Sequence, residues 1–227
     1  MATYYKYLPM GKANSLRREW TESLFREQKL FMGAYDTFND PMEAYYETNS
    51  FTRQKINEIK LGKTQIRFCC LSKCYTNILM WSHYTDSHKG VCVEMEVKPS
   101  QKYIQRNIQY ASRLEQPRGR TNREQCIDVL RKKFLPWQYE QEVRFFKEIP
   151  IGSSSTAPQY LEVDIKKVYL GCKLTDSEEA KYREIINNVR IGLPPIDIQK
   201  ITLPELTWWK NKSNPQVIIL SNHEAAC

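Results

Sequence analysis

The chain has 227 residues, of which 41% are hydrophobic, and a formal net charge of +8. A chain of this length can bury a sizeable core without disulfides, and its apolar content excludes wholesale disorder. No apolar stretch approaches the roughly 18–20 residues of a membrane span, and residues 1–6 do not resemble a signal peptide, so we predict a soluble, cytoplasmic protein with no membrane partner.

Apolar periodicity and turn residues predict alternating strands and helices along the chain. In chain order, we predict a strand at 4–8, a helix at 15–26, a strand at 29–34, a helix at 52–59, a strand at 65–71, a helix at 76–84, strands at 91–97 and 104–111, a helix at 122–134, a strand at 137–147, one or two strands within 162–170, a helix at 176–189, and closing strands at 196–203 and 216–220. This order predicts one α+β domain spanning 1–227, with a central bent or split mixed β-sheet and helices inserted between its strands.

Several of these elements carry more specific expectations. Leu16, Trp20 and Leu24 have the spacing of one helical face, and the strands 91–97 and 104–111 are expected to pair. Asp40 before a proline, with Glu43 three residues later, predicts a capping box and a short helix through residue 46. In the helix 122–134 we expect the inner face to be Cys126, Val129, Leu130 and Phe134.

The charge and the cysteines of the chain bear on its partners and on its metal content. The basic excess favours anionic partners, which are nucleic acid, a nucleotide or an acidic protein surface. The densest basic runs lie at 17–18, 118–123 and 131–133. Cys70 and Cys74 with His83 and His88 match known zinc spacings poorly, so we expect reduced, buried thiols and no metal. We expect Trp208 and Trp209 to pack against the sheet.

Three groups of residues carry a family resemblance. The first group is residues 5–7 and 38–43, and the second is residues 70–72, 80–84 and 88–94. The third is Lys133 with residues 137–144 (WQYEQEVR) and 168–171. In order and spacing they resemble a bacterial family known only as domain of unknown function 2971, most strongly over residues 4–171. Cys70 and Met42 depart from the aromatic residues expected there. The family implies no activity, so the chemistry rests on the residues.

The first hypothesis is a site similar to that of ADP-ribosyltransferases. On a strand, Glu140 and Glu142 would lie on one face, with α-carbons about 6–7 Å apart. Transferases of this kind carry a similar pair of acids. The resemblance implies that Glu142 stabilises an oxocarbenium-like transition state on NAD and that Glu140 orients or deprotonates the acceptor.

The same resemblance implies a nucleotide-binding set. Lys6 stands where those enzymes have His or Arg to hold the nucleotide, with Tyr5 beside it, and Ser72 would be the serine of their middle strand. The candidate walls of the nicotinamide or adenine pocket are Trp81, His83 and Tyr84. For such an enzyme we expect a role in a bacterial defence or toxin system.

Other interpretations stay open. The alternating charges of 140–144 are also typical of a solvated strand face with an Arg144 ion-pair ladder. Asp40, Glu43, Glu140 and Glu142 are also the oxygen ligands that a Mg²⁺-dependent nuclease uses, although Arg144 then stands where a lysine base is required. A third possibility is a binding or sensor module that holds a nucleotide or partner without turnover; it would tolerate Glu142→Gln, whereas a transferase would not.

Overall fold

A computed structural model describes residues 2–11, 16–150 and 157–201, apart from the side chain of Arg17. The helices are α1 Leu16–Glu27, α2 Arg53–Thr64, α3 Ile78–Tyr84, α4 Asn122–Leu130 and α5 Asp176–Val189, with 3-10 helices at Tyr35–Thr37 and Leu135–Glu140. The strands are β1 Thr3–Leu8, β2 Lys29–Phe31, β3 Ile66–Ser72, β4 Val91–Val97, β5 Ile104–Asn107, β6 Gln109–Ala111, β7 Lys132–Phe134, β8 Glu142–Glu148, β9 Tyr160–Leu170 and β10 Asp197–Lys200. The predicted α+β class is confirmed, since helices lie between strands of mixed direction.

The chain divides into two compact units. The first unit contains Met1–Gln28, Cys74–Glu96 and Asp164–Cys227, and the second contains Lys29–Lys73 and Val97–Val163. None of the described helices is long and apolar enough to span a bilayer. The expectation of a single domain stays a prediction.

The first unit is built on the strand order β10-β9-β4-β1. β1 and β4 are antiparallel, from Thr3 opposite Glu96 to Leu8 opposite Val91, while β10 runs parallel to β9. Three residues of the face predicted for β4, Val91, Val93 and Met95, are fully buried, whereas the fourth, Val97, is only partly buried. Cys92 on the opposite face is also fully buried, so both faces of this half of β4 are covered. Helix α5 has its predicted bounds, with a capping box in which the Thr175 side chain accepts from the Glu178 backbone N–H.

The second unit is built on the strand order β3-β8-β5, with β2 paired to the start of β9 and a separate parallel pair of β6 and β7. Its core is a cluster of apolar side chains. They come from α2, α4, β3 and β8 and the turn before α2: Ala44, Ile59, Ile66, Phe68, Cys126, Ile127, Val129, Leu130 and Phe146. Strand β8 lies between two antiparallel neighbours, β3 and β5, and every one of its side chains from Glu142 to Phe146 is buried.

Two predicted strands are wrong in extent. Residues 137–141 do not belong to β8, because Pro136 starts a 3-10 helix and Gln141, at φ 45°, is left-handed. Residues 104–111 form two strands rather than one. β5 pairs with β8 and β6 pairs with β7, so the predicted pairing of this segment with β4 is also wrong.

Three helical predictions also need correction. α4 ends at Leu130, because residues 132–134 pair with β6 instead. Residues 41–44 form a turn rather than a helix; Asp40 accepts from the backbone N–H of Met42 at 2.9 Å. On α1, Leu16 and Trp20 are 66% and 68% exposed, so only Leu24 of the predicted face is buried. The predicted strand at 216–220, Trp208 and Trp209 lie outside the described residues.

Candidate functional site

The candidate catalytic residue Glu142 is the first residue of β8 and is 5% exposed. Its backbone N–H donates to the hydroxyl of Tyr110 at 2.8 Å, and its carbonyl accepts from the N–H of Ile108 at 3.0 Å. The backbone of Glu142 therefore joins β8 to residues 108–110, and its side chain points into the second unit.

Arg144 lies at the centre of a buried charge cluster. Its guanidinium is fully buried and donates to both carboxylate oxygens of Glu43, at 2.6 and 3.0 Å, and to both oxygens of Glu142, at 2.6 and 3.2 Å. A further bond runs to the carbonyl of Leu130 at 2.6 Å. The ring of Phe68 lies 4.6 Å from the guanidinium carbon, in a cation–π contact. The planar guanidinium thus bridges two carboxylates with its N–H groups.

Lys133 adds a second cation to the same cluster. Its ammonium donates to Glu140 at 2.5 Å and to Glu142 at 3.3 Å, and it lies 4.7 Å from the centre of the Trp137 ring. Three carboxylates and two cations, all buried at their side chains, therefore carry a formal net charge of −1. We call Glu43, Lys133, Glu140, Glu142 and Arg144 the buried charge cluster.

The electrostatics of the cluster favour the ionised forms of Glu142 and Lys133. Burial alone raises the pKa of Glu142, but Arg144 and Lys133 outweigh it and hold that pKa well below the usual range. Burial lowers the pKa of Lys133, but Glu142 and Glu140 outweigh that effect and raise it. A general acid or base works best with a pKa near the ambient pH, and these two groups are displaced away from neutrality in opposite directions. Both therefore act as fixed charges.

The two predicted catalytic carboxylates do come together, but not as strand neighbours. Glu140 ends the 3-10 helix and Glu142 begins β8; the left-handed Gln141 between them lets both reach Lys133. The alternative of a solvated face is wrong, because Glu140, Glu142 and Arg144 are 4%, 5% and 0% exposed.

The predicted nucleotide-binding residues are divided between the units. Lys6, Tyr5, Trp81, His83 and Tyr84 belong to the first unit, whereas Ser72 belongs to the second unit together with Glu140 and Glu142.

Within their own units these residues have clear surroundings. Trp81 is 2% exposed and its indole N–H donates to the carbonyl of Tyr75 at 2.7 Å. The ring of Tyr75 is 5.2 Å from that of Tyr5 and stacks at 4.4 Å on Tyr169. Trp81 is therefore part of the core of the first unit. Ser72 is buried, and its hydroxyl donates to the carbonyl of Glu140 at 2.7 Å, which fixes the end of the 3-10 helix.

The metal hypotheses find no geometric basis in the described part of the chain. Among those residues no group of three His, Cys, Asp or Glu side chains is arranged to hold an ion. Glu43 and Glu142, two of the proposed magnesium ligands, are occupied by the guanidinium of Arg144. The capping role predicted for Glu43 is wrong for the same reason.

Sequence reasoning missed the partnership of Glu43 with Arg144 and the role of Tyr110. Glu43 and Arg144 are 101 residues apart in the chain, and no local pattern connects them. The only available signal was the presence of both residues within the stretches that carry the family resemblance.

A second candidate site is a basic surface on the second unit. The second unit has nineteen basic and twelve acidic residues and the first unit has fifteen and fourteen, so the second carries +7 of the net charge of +8. Five arginines lie within residues 106–123, and all five are exposed. We call residues 106–123 the arginine segment. Its five arginines are Arg106, Arg113, Arg118, Arg120 and Arg123.

Acidic partners neutralise only part of the arginine segment. Arg118 pairs with Glu115 at 3.4 Å, and Arg123 pairs with Glu148. Within residues 2–11, 16–150 and 157–201, no carboxylate pairs with the remaining three, which are Arg106, Arg113 and Arg120.

Two adjoining cavities lie beside this segment and share Arg113, Leu114 and Glu115. The larger has a volume of about 540 Å³ and is also lined by Glu47, Gln116, Pro117 and Arg118. The smaller, of about 20 Å³, is also lined by Met42, Tyr45, Ala111, Lys132, Lys133 and Phe134. We call the two together the arginine groove.

Comparison with known proteins gives one match. Residues 80–145 match the model of a family described as "Protein of unknown function (DUF2971)", which is under a third of the chain. The match includes Trp81, the arginine segment and four members of the buried charge cluster. No curated protein matches the chain, and no solved structure matches it. The resemblance to ADP-ribosyltransferases is therefore without support from relatives and stays a prediction, whereas residues 80–145 are similar to that uncharacterised family.

Proposed function

We propose that the second unit is a non-catalytic binding module for nucleic acid, which it holds through the arginine segment. The observation that carries the proposal is a set of three exposed arginines with no acidic partner among the described residues, Arg106, Arg113 and Arg120. Exposed guanidinium groups are suited to phosphate, because their planar N–H groups match its oxygens and their charge is permanent.

Charge separation between the units supports the same proposal. Phosphate contacts supply most of the sequence-independent affinity for nucleic acid, and they require cations that are not already paired. The second unit carries +7 and its arginine segment contains Glu115 as its single acid up to residue 123. A surface of this kind attracts a polyanion at long range and holds it at contact.

The buried charge cluster supports a structural rather than catalytic role for Glu142. Both of its oxygens accept from Arg144, and one of them also accepts from Lys133. A carboxylate that stabilises a developing cation on a substrate must be able to face that substrate. Here the two protein cations already occupy that place.

The proposal is tested by fluorescence anisotropy with labelled 20-mers, single-stranded and duplex, at several KCl concentrations. The test variant combines Arg106→Gln, Arg113→Gln and Arg120→Gln. We expect the slope of log K against log[KCl] to fall by about 2–3, because each lost phosphate contact removes roughly 0.7–0.9.

The matched control removes the same charge from exposed positions of the first unit, through Arg26→Gln, Lys173→Gln and Lys181→Gln. This control should leave the slope unchanged. The proposal fails if wild-type protein does not bind either 20-mer at low salt, or if the control weakens binding as much as the test variant.

The transferase hypothesis has its own test. Calorimetry with NAD on the wild type, Lys6→Ala and Glu142→Gln decides it, because a transferase must bind NAD and use Glu142. A binding module should give no heat with millimolar NAD, and Glu142→Gln should bind nucleic acid as the wild type does. Heat that disappears in Lys6→Ala, with nicotinamide release abolished in Glu142→Gln, would favour the transferase over the proposal.

A further inference from the structure

We infer that the arginine groove takes an unpaired nucleotide, so that the ligand is single-stranded nucleic acid with a base stacked on Tyr45 and a phosphate on Arg113. This inference rests on the proposed function and specifies its substrate class. It is carried by an exposed aromatic ring, Tyr45, that lines the same groove as Arg113, which no carboxylate in the described part of the chain pairs.

The aromatic part of the groove is unusually open. Tyr45 is 57% exposed and Met42 is 39% exposed, although both line a cavity with Phe134 and Leu114. Exposed rings beside cations are the platforms on which single-stranded binding proteins stack bases, since every base presents a flat π surface. In a duplex the bases are stacked on each other and are not available to such a ring.

The size and shape of the groove fit a nucleotide that lies across it. The smaller cavity has room for about one water molecule, so a base does not insert there and instead lies over its outer wall, on Tyr45. The larger cavity, of about 540 Å³, falls in the size range of small-ligand sites. Arg113 lines both cavities, which places it between the base and the next part of the strand.

The carboxylates of the groove decide where phosphate can lie. Glu115 is neutralised by Lys132 at 3.4 Å and by Arg118 at 3.4 Å, so it does not repel a phosphate on Arg113. Glu47 accepts from the backbone N–H of Asn49 at 2.9 Å and is paired with no cation among the described residues. Glu47 therefore excludes phosphate from its end of the larger cavity and accepts hydrogen bonds from the amino or imino N–H groups of a base.

The position of Tyr45 is held by backbone contacts on both sides. Its own N–H donates to the carbonyl of Met42 at 3.2 Å, and the N–H of Glu47 donates to the carbonyl of Glu115 at 3.1 Å. The second bond ties the chain after Tyr45 to the arginine segment. The ring and Arg113 are consequently presented by two stretches that are joined to each other.

The experiment compares three labelled 12-mers by anisotropy at one salt concentration: an intact single strand, an abasic single strand and a duplex. We expect the intact strand to bind about tenfold more tightly than the abasic strand, which is the size of one stacked base. Tyr45→Ala should reduce the intact strand to the abasic level and leave the abasic strand unchanged. Tyr45→Phe keeps the ring and should bind as the wild type does.

Two outcomes separate the inference from the proposed function. If the intact and abasic strands bind equally, or Tyr45→Ala weakens neither, the unpaired nucleotide is wrong although nucleic-acid binding stands. If Arg113→Gln has no effect on any of the 12-mers, the placement of a phosphate on Arg113 is wrong, and the inference fails with it. If none of the three 12-mers binds, the proposed function itself is wrong. Thermal unfolding by circular dichroism should be the same for both Tyr45 variants, since the side chain is more than half exposed.

Discussion

Replacing Arg144 by methionine should destabilise the protein strongly. The substitution keeps the volume roughly constant but removes every hydrogen bond that the guanidinium makes to Glu43, Glu142 and Leu130. The formal charge of the buried cluster would change from −1 to −2, with Lys133 as its only cation. Removing one partner of a buried ion pair costs about 3–5 kcal/mol, because the other charge stays buried without compensation.

The measurement is urea unfolding at pH 7, followed by tryptophan fluorescence, with a thermal scan alongside. For a chain of this length a loss of about 3–5 kcal/mol lowers the unfolding temperature by roughly 6–20 °C. The matched control is Arg123→Met, which breaks the pair with Glu148; those side chains are 57% and 42% exposed. An exposed pair contributes at most about 1 kcal/mol, so this control should hardly change the urea midpoint.

A triple variant tests whether uncompensated charge is the cause. Glu43→Leu, Glu142→Leu and Arg144→Met together leave Lys133 paired with Glu140, which is a neutral pair. Replacing a whole buried ion cluster by apolar side chains is often neutral or stabilising, so the triple variant should be more stable than Arg144→Met alone. A loss below about 1 kcal/mol for the single variant, or a larger loss for the triple variant, would refute the reasoning.

Three further outcomes follow from the same structure. Because the pKa of Glu142 is lowered in the folded protein, its contribution to stability is complete above its unfolded pKa of about 4.3 and is lost as the pH falls below that value. In urea unfolding measured from pH 7 to pH 3, the free energy of unfolding should therefore decline less in Glu142→Gln than in the wild type. Thr175→Ala removes the cap of α5 and should cost about 1 kcal/mol in urea unfolding. Gly171→Ala places a methyl group 2.0 Å from the carbonyl oxygen of His88 and should lower the free energy of unfolding by about 1–3 kcal/mol, whereas an unchanged urea midpoint would contradict that geometry.

The elements that could be predicted are those whose signals lie within the element itself. Helix α5 carries its capping residues Thr175 and Glu178 at its own start, and β4 carries its alternation in its own apolar residues. The strand predicted at 137–147 failed because Pro136 and the left-handed Gln141 override an alternating pattern. Alternation of apolar and charged residues is thus a weak predictor of a strand where a proline directly precedes the alternating residues.

The candidate site was predictable in its residues but not in its geometry. Glu140 and Glu142 were identified from their spacing on a predicted strand and from the resemblance to ADP-ribosyltransferases, and the structure brings both to Lys133. Their burial and neutralisation were not predictable, because the cation that compensates Glu142 also binds Glu43, at a separation of 101 residues. The partner of Arg144 comes from the turn at residues 41–44, which no local window of sequence around β8 contains.

The cations of the second unit have two kinds of surroundings: those of the buried charge cluster are enclosed and paired, whereas those of the arginine segment are exposed. This difference decides which cations a ligand can reach. The buried charge cluster carries −1, so the rest of the unit carries +8, most visibly in the arginine segment. The backbone of Glu142 connects the two through Ile108 and Tyr110, which lie within that segment. A ligand that required the carboxylate of Glu142 would first have to displace Arg144 and Lys133 from a buried site. A polyanion would meet Arg106, Arg113 and Arg120 at the surface without displacing any carboxylate of the described residues. This difference in access is the reason why we propose binding rather than catalysis.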